Sequence, residues 1–351
     1  MRRTLKRVTL AAVGVLGVAA LVALWFVAVL AFPATPKPVN GLHFAGFIQL
    51  PKTGKLLSIM DYLTVDGTRL YVTSESSGDV FVVPLGDGAL PPSAAVRAQA
   101  GQGAAHGVVV DPASGRAFVT RSDADTVDVF DRSSLATVKH IKVADDVDGA
   151  LFDPADKLVY AVSGDPNLAS LIDPASASNV GTIALGGKPE FAAFDPQTGR
   201  VYQNLEDRNA VAVVDVGRRA VVDRWPLSPC QGPTGLALDL ANRRLFAVCS
   251  KNALLVVMDL ASHRIVSSLT IGGRPDSVGY DPALKRIYAT GKSGILSVIQ
   301  QDGPNAYRTL DAVKLHYGAH TLAVDPATHR VYVAYASLIL PPRLAVFDAV
   351  R

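Results

Sequence analysis

Residues Gly187–Asp215 read GKPEFAAFDPQTGRVYQNLEDRNAVAVVD. Asp195-Pro196 stands in the middle of this stretch, Tyr202 seven residues later and Asp215 twenty later. The same frame recurs along the chain. Asp66, Asp111, Asp153, Asp195, Asp239, Asp281 and Asp325 are spaced 45, 42, 42, 44, 42 and 44 residues apart. Seven residues after six of these anchors comes an aromatic: Phe118, Tyr160, Tyr202, Phe246, Tyr288 and Tyr332. The first unit has a shorter turn and places Tyr71 at five. Twenty residues after four anchors comes a second Asp: Asp131, Asp173, Asp215 and Asp259. A constant internal phase over this period marks a repeat architecture.

Each unit reads as four short strands. In the second, Ala105–Val110 is an apolar run that ends at Asp111. Asp111-Pro112-Ala113-Ser114-Gly115 is a turn, with Pro where φ is fixed and Gly where φ can be positive. Ala117–Arg121 follows, then Thr126–Asp131, in which Val127 and Val129 alternate with Thr126 and Asp128, then Ala136–Val143. No stretch has helical periodicity long enough for a crossover helix. Four strands per unit, seven units and no helices predict a seven-bladed β-propeller. The last unit stops after its third strand, Leu344–Asp348, and His43–Leu50 (HFAGFIQL) resembles the fourth strands Val222–Leu227 and Val266–Ile271. The N-terminal strand is therefore expected to complete the last blade and remove the open edge. The expected division is a leader and linker over 1–40 and an all-β propeller over 41–351.

Leu70-Tyr71-Val72-Thr73-Ser74, Ala117-Phe118-Val119-Thr120, Val129-Phe130-Asp131 and Val213-Val214-Asp215 resemble the YVTN-repeat β-propeller family, the YncE-like proteins. Gly187–Asp215 and Pro233–Phe246 (PTGLALDLANRRLF) carry the resemblance best, and it extends over roughly residues 43–350. It departs at Gln203-Asn204, where the motif has Val-Thr or similar, and in the unequal first blade. The resemblance implies an exported propeller and specifies fold rather than activity.

The leader supports export. Val8–Phe32 is uncharged, 25 residues long and preceded by Arg2, Arg3, Lys6 and Arg7. This length crosses a bilayer, and the preceding bases place the N-terminus inside and the body outside the cytoplasm. An uncleaved signal anchor fits the length; a cleaved signal peptide with Val29-Leu30-Ala31 as its exit is the alternative. The expected location is the periplasmic or extracellular side, anchored in the inner membrane through this helix, or secreted if the leader is removed. Cys230 and Cys249, the two cysteines of the chain, form either a disulfide or two separately buried thiols. The whole chain has 34 Lys and Arg against 31 Asp and Glu, but five of the bases precede residue 40 with no acid among them. The body is thus slightly acidic, which makes nucleic acid an unlikely partner.

In a propeller the first strand of each blade lines a central channel, so equivalent positions form a ring. Five residues before each anchor stand Asp61, His106, Asp148, Glu190, Thr234, Asp276 and His320. Six of these seven ionise, in a chain of 19% charged residues. The ring is the expected ligand-binding mouth for a small ligand, a metal or a protein partner. His320, Asp61 and His106 fall on consecutive blades and suit a divalent cation such as Zn²⁺, Mn²⁺ or Ca²⁺. The alternative is a metal-dependent hydrolase or lyase at the same point, or His106 or His320 acting as a general base oriented by Asp61. A third reading is simply a wet channel mouth in which charged groups gather without a ligand. Lys188 and Arg274, seven before their anchors, stand ready for an acidic group of a ligand or neutralise the acidic ring. On the opposite face Arg69, Arg116, Lys157, Arg200, Arg243, Arg244, Lys285, Arg286 and Arg330 follow the anchor turns. Pairing with nearby Asp side chains is the expectation there, ahead of binding an anionic polymer. No phosphate loop, His-Glu-x-x-His or Gly-x-Ser-x-Gly is present.

Overall fold

The computed structural model describes residues 21–22, 24–25, 27–28, 35–86, 95–99, 103–316 and 318–350. The first six of these are helical, but most of the apolar run Val8–Phe32, and with it the signal-anchor expectation, lies outside the described residues. Among the described residues no helix is long and apolar enough to cross a membrane. From residue 35 onward the described chain is built of strands, with two 3₁₀ turns at Ser122–Ala124 and Glu206–Arg208 and no α-helix.

Seven four-stranded antiparallel sheets follow one another along the chain. Blade 4 is typical: Pro189–Asp195, Arg200–Leu205, Ala210–Asp215 and Ala220–Pro226, in that order from the channel outward. The first strands of the other blades are Met60–Asp66, Ala105–Asp111, Val147–Asp153, Pro233–Asp239, Pro275–Asp281 and Leu322–Asp325. Each packs against the first strands of its two neighbours, and Leu322–Asp325 returns to Met60–Asp66, so the ring closes. Blade 7 takes its outer strand from the N-terminus: Leu42–Gln49 pairs antiparallel with Arg343–Ala349. A two-stranded ribbon that the repeat did not foreshadow, Leu57–Ser58 with Ser337–Leu338, joins the segments entering blade 1 and leaving blade 7.

The sequence frame has a physical cause. Apart from Asp66, which is part-exposed and pairs with Arg132 of the next blade, the anchor Asp side chains are buried caps of their own turns. Asp195 Oδ1 accepts from the Gln197 N–H at 3.0 Å, and Asp111, Asp153, Asp281 and Asp325 do the same two residues on. Asp131, Asp173, Asp215 and Asp259 repeat the device in the turn after the third strand. This Asx geometry favours Asp over other residues at a turn that must leave the sheet sharply. The periodic aromatics fill the seams between blades. Among the described residues there are seven apolar clusters, one per seam, and each receives the second-strand aromatic of the preceding blade: Tyr71 between blades 1 and 2, Tyr202 between 4 and 5, Tyr332 between 7 and 1. All seven of these aromatics are buried. Trp225 lies in a fourth strand, against Tyr202 and His263.

The basic face follows the pairing expectation only in part. Arg200 and Arg330 pair with Asp215 and Asp348 at 3.0 and 2.8 Å, and Arg244 with Asp259. Arg243 instead reaches back across the seam to the preceding anchor, Asp195, at 2.8 Å. Arg69, Arg116 and Arg286 point forward, donating to backbone carbonyls of the next blade. Arg286 ties the closure by donating to the carbonyls of Gly41 and Val350 at 2.9 and 2.6 Å. These arginines are engaged within the protein, which argues against the polymer-binding reading. Cys230 and Cys249 are joined by a disulfide that pins the segment entering blade 5 to its second strand.

Candidate functional site: the channel mouth

Six of the seven ring residues stand where their strand breaks step, and His320 lies just ahead of its strand, Leu322–Asp325. In blade 4, Pro189 pairs with Leu205 and Ala192 with Gln203, so Glu190 and Phe191 oppose Asn204 alone. The same two-against-one bulge places Asp61-Tyr62, His106-Gly107, Asp148-Gly149 and Thr234-Gly235 in blades 1, 2, 3 and 5, and a shorter shift occurs at Asp276. A bulge bends the strand and re-aims its side chains. Here it turns the ring residues toward the axis. The glycines that follow are needed because neighbouring first strands crowd together: a Cβ on Gly107 would lie 2.6 Å from the Ala150 nitrogen, and one on Gly235 2.8 Å from that of Val278. Where the following residue is aromatic, it lines the mouth beneath the ring. Tyr62 of blade 1 and Phe191 of blade 4 stack with ring centroids 4.8 Å apart.

Above this stack lies a cavity of about 630 Å³. All seven ring residues line it. A second tier comes from the loops between second and third strands: Glu75, Glu206, Ser250 and Lys292. These stand eleven residues after their anchors, or nine in the short first blade, a spacing as regular as that of the ring. Lys188, Lys251 and Arg274 complete the upper wall. Among the described residues, every Lys and Arg of the lining belongs to blades 4–6. Blades 7, 1, 2 and 3 supply Asp61, Glu75, Asp148 and both histidines instead. Glu190, Glu206 and Asp276 share the basic side, so the cavity is polarised by its bases: blades 4–6 balance their acids, and blades 1–3 leave theirs to the histidines.

On the acidic side, His106 Nδ1 is 2.6 Å from Asp61 Oδ2 and 3.5 Å from Asp148 Oδ1, while Nε2 is 2.9 Å from Ser122 Oγ. Burial opposes charge on His106, but the hydrogen bond to Asp61 and the charges of Asp148, Asp61 and Glu75 outweigh it and raise the imidazole to about 9. Asp148 is pushed up to about 7, chiefly by burial and then by the charge of Asp61. Although 48% of its side-chain surface faces the cavity, its Oδ1 is buried and has no hydrogen bond, and this oxygen carries the desolvation. Burial also raises Asp276, with Lys292 and His320 opposing. His320 Nδ1 donates to the Gly318 carbonyl at 2.7 Å, which leaves Nε2 facing Asp61 Oδ1 at 4.0 Å and Asp276 Oδ2 at 3.8 Å.

On the other side, Lys188 lies 3.6 Å from Glu190 and 3.2 Å from Glu206, and Lys251 3.4 Å from Glu206. Glu190 is nevertheless raised to about 8, by burial and by the charge of Asp148, against the pull of Lys188. Asp207 turns away and caps the Lys188 N–H at 2.8 Å. Thr234 lines the ring, but its hydroxyl is bound to the Pro275 carbonyl at 3.1 Å. Ring counting thus located the lower tier in full. It passed over Lys292, Ser122 and Ser250, which the plus-eleven spacing marks, and the Tyr62–Phe191 floor, whose position next to the ring marks it only once the bulge is known.

No protein-family model matches the chain, and no curated protein matches its sequence. Among solved structures it is similar to hydrazine synthase of Kuenenia stuttgartiensis, with a TM-score of 0.68 at 16% identity over 82% of this chain and 94% of that one. It is also similar to a chain of the mitotic checkpoint complex, with a TM-score of 0.72 at 14% identity over 92% and 97% of the two chains. At such identities the likeness is one of fold, and the fold of this chain is a seven-bladed β-propeller.

Proposed function

We propose that this propeller is an extracytoplasmic binding protein whose channel mouth holds a small polar ligand with an acidic group, that group lying toward blades 4–6. One observation carries the reading: side chains from all seven blades line a single polarised cavity of about 630 Å³, a volume in the range of small-molecule sites. Arg274 and Lys292 lie on the cationic wall and are exposed, ready to meet an anion. The extracytoplasmic placement draws on the apolar leader of the sequence and on the Cys230–Cys249 disulfide, a bond that belongs to oxidising compartments. The resemblance of the second strands to YVTN repeats agrees with it. A titration of the metal-free protein with citrate and with inorganic phosphate, followed by calorimetry, tests the reading. Binding of either probe that weakens about tenfold or more in Arg274→Gln/Lys292→Gln supports it. Absence of binding by both probes overturns it.

A hydrolase or lyase at the same mouth is the second reading. The observation in its favour is the hydrogen-bonded chain Asp61–His106–Ser122, along which a proton can be held and passed. Turnover of small esters or lactones that is lost in His106→Ala would support it, and inert behaviour toward them would count against it.

A further inference from the structure

The two mouth histidines share a construction. Each has one ring nitrogen fixed by an acceptor behind it: His106 Nε2 by Ser122 Oγ at 2.9 Å, and His320 Nδ1 by the Gly318 carbonyl at 2.7 Å. Each therefore turns its other nitrogen toward Asp61, His106 Nδ1 to Oδ2 and His320 Nε2 to Oδ1. An acceptor behind the ring, with the free nitrogen aimed at a carboxylate cluster, is how proteins orient imidazoles that ligate metals.

We propose that Asp61, His106 and Asp148 bind a divalent transition-metal cation, with His320 poised on the far oxygen of Asp61. The inference rests on the reading of the mouth as a binding cavity and names what its acidic side holds. One ligand atom from each of the three residues lies within 4.8 Å of the others, close enough to share an ion. Two further observations point to room for a shared ligand at this place. Asp148 Oδ1 is buried, belongs to this cluster and makes no hydrogen bond; its contact with His106 Nδ1 is at 3.5 Å, to a nitrogen already engaged with Asp61. His320 has a side chain only 10% exposed, and its Nε2 lies at 3.8–4.0 Å from two carboxylate oxygens, too far for a hydrogen bond. A cation would satisfy the first and bring ligands of the second kind to a common centre.

The donor set identifies the ion class. One or two imidazole nitrogens with carboxylate oxygens suit Zn²⁺ or Mn²⁺, whereas Ca²⁺ prefers six to eight oxygens. On binding, the ion takes the place of the proton between His106 Nδ1 and Asp61 Oδ2, and Ser122 continues to hold Nε2–H. An ion there would stand on the side of the cavity facing Arg274 and Lys292. The bound molecule would then be an anion that one end of the cavity ligates through metal and the other through guanidinium and ammonium groups, such as a dicarboxylate or a phosphate ester.

The test uses the folded chain stripped with a chelator and then freed of it. Calorimetric titration with Zn²⁺, Mn²⁺ and Ca²⁺ should give one site per chain, with the two transition metals tighter than Ca²⁺. His106→Ala and Asp148→Asn should abolish it or weaken it at least a hundredfold. Ser122→Ala should weaken it about tenfold, as expected for a group that orients a ligand. Arg308→Ala, on an outer strand, should leave it unchanged. Co²⁺ loading gives an independent reading, because its visible absorption should change in Ser122→Ala while folding, followed by far-ultraviolet circular dichroism, does not. No binding of Zn²⁺ or Mn²⁺, or binding undisturbed in both His106→Ala and Asp148→Asn, overturns the proposal. Metal binding retained with no affinity for citrate or phosphate would sink the ligand reading alone; anion binding with no metal site would sink this inference alone.

Discussion

Asp61 and His106, 45 residues apart in the chain, meet at 2.6 Å across the seam between blades 1 and 2. The contact exists because the bulge in each first strand turns both side chains to the same side of the channel. It also holds a proton on the imidazole. With a folded value of about 9 against an ordinary 6.5, His106 contributes stability that is complete below about 6.5 and disappears as pH rises through 9. In metal-free protein, Asp61→Asn removes the charge and leaves at most a weaker, neutral hydrogen bond. The His106 midpoint, read from its ring-proton shifts by NMR, is expected to fall toward 6.5. A midpoint that stays near 9 would show that Asp61 is not its cause.

Glu190 gives the complementary test on the opposite wall. Its folded value of about 8 lies above the ordinary 4.5, so its bound proton favours the fold most below 4.5, and this contribution is lost as pH climbs through 8. Glu190→Gln keeps the shape without the ionisation. The variant is expected to gain in Tm relative to the parent as pH goes from 5 to 9. Parallel Tm curves would mean that Glu190 ionises without penalty.

Asp195 holds together a turn and a seam. It accepts from the Gln197 N–H, the Thr198 hydroxyl and Tyr202, and pairs with Arg243 of the next blade at 2.8 Å. Asp195→Ala leaves these groups without their acceptor, including a guanidinium, and should cost about 3–5 kcal/mol. Urea unfolding measures it. Because Arg243 is itself the group stranded, Asp195→Ala with Arg243→Met should cost less than Asp195→Ala alone, and equal costs would show that the pair is not coupled.

Ring closure depends on an aromatic patch as well as on the ladder. Phe347 packs edge-on against Phe44 of the closing strand at 5.7 Å, and Phe44 against Phe47 at 4.8 Å. Phe347→Ala should lower stability by about 3–5 kcal/mol. Hydrogen exchange should rise first in Leu42–Gln49, since the lost contact holds that strand to the rest. Protection that falls evenly through all blades would contradict this picture of a separately latched seam.

The blades were legible because two demands repeat seven times. A turn that must be capped calls for Asp, as at Asp195, and a seam that must be filled calls for an aromatic, as at Tyr202. Both residue types stay in phase because both serve the same geometry. The ring of the mouth could be counted for the same reason. Pairing off that count was harder. Nothing in the spacing shows that Glu190 and Phe191 share one bulge, so the aromatic floor read as ordinary strand. Thr234 occupies a ring position yet gives its hydroxyl to the Pro275 carbonyl, which depends on how closely two first strands approach. Arg286 was legible as a base beside a turn, but its grip on Gly41 and Val350 joins residues from both ends of the chain, and no local pattern carries that.

The closing strand runs from Leu42, beside the anchor turns, to Gln49, beside the mouth. Asn40 leaves on the anchor-turn side, where its N–H meets Asp311. The segment before the closing strand thus joins the propeller on the face opposite the one where the cavity opens. The stacked rings of Tyr62 and Phe191 give that opening a partial floor, so a molecule entering at the mouth meets an aromatic surface before it reaches the middle of the ring.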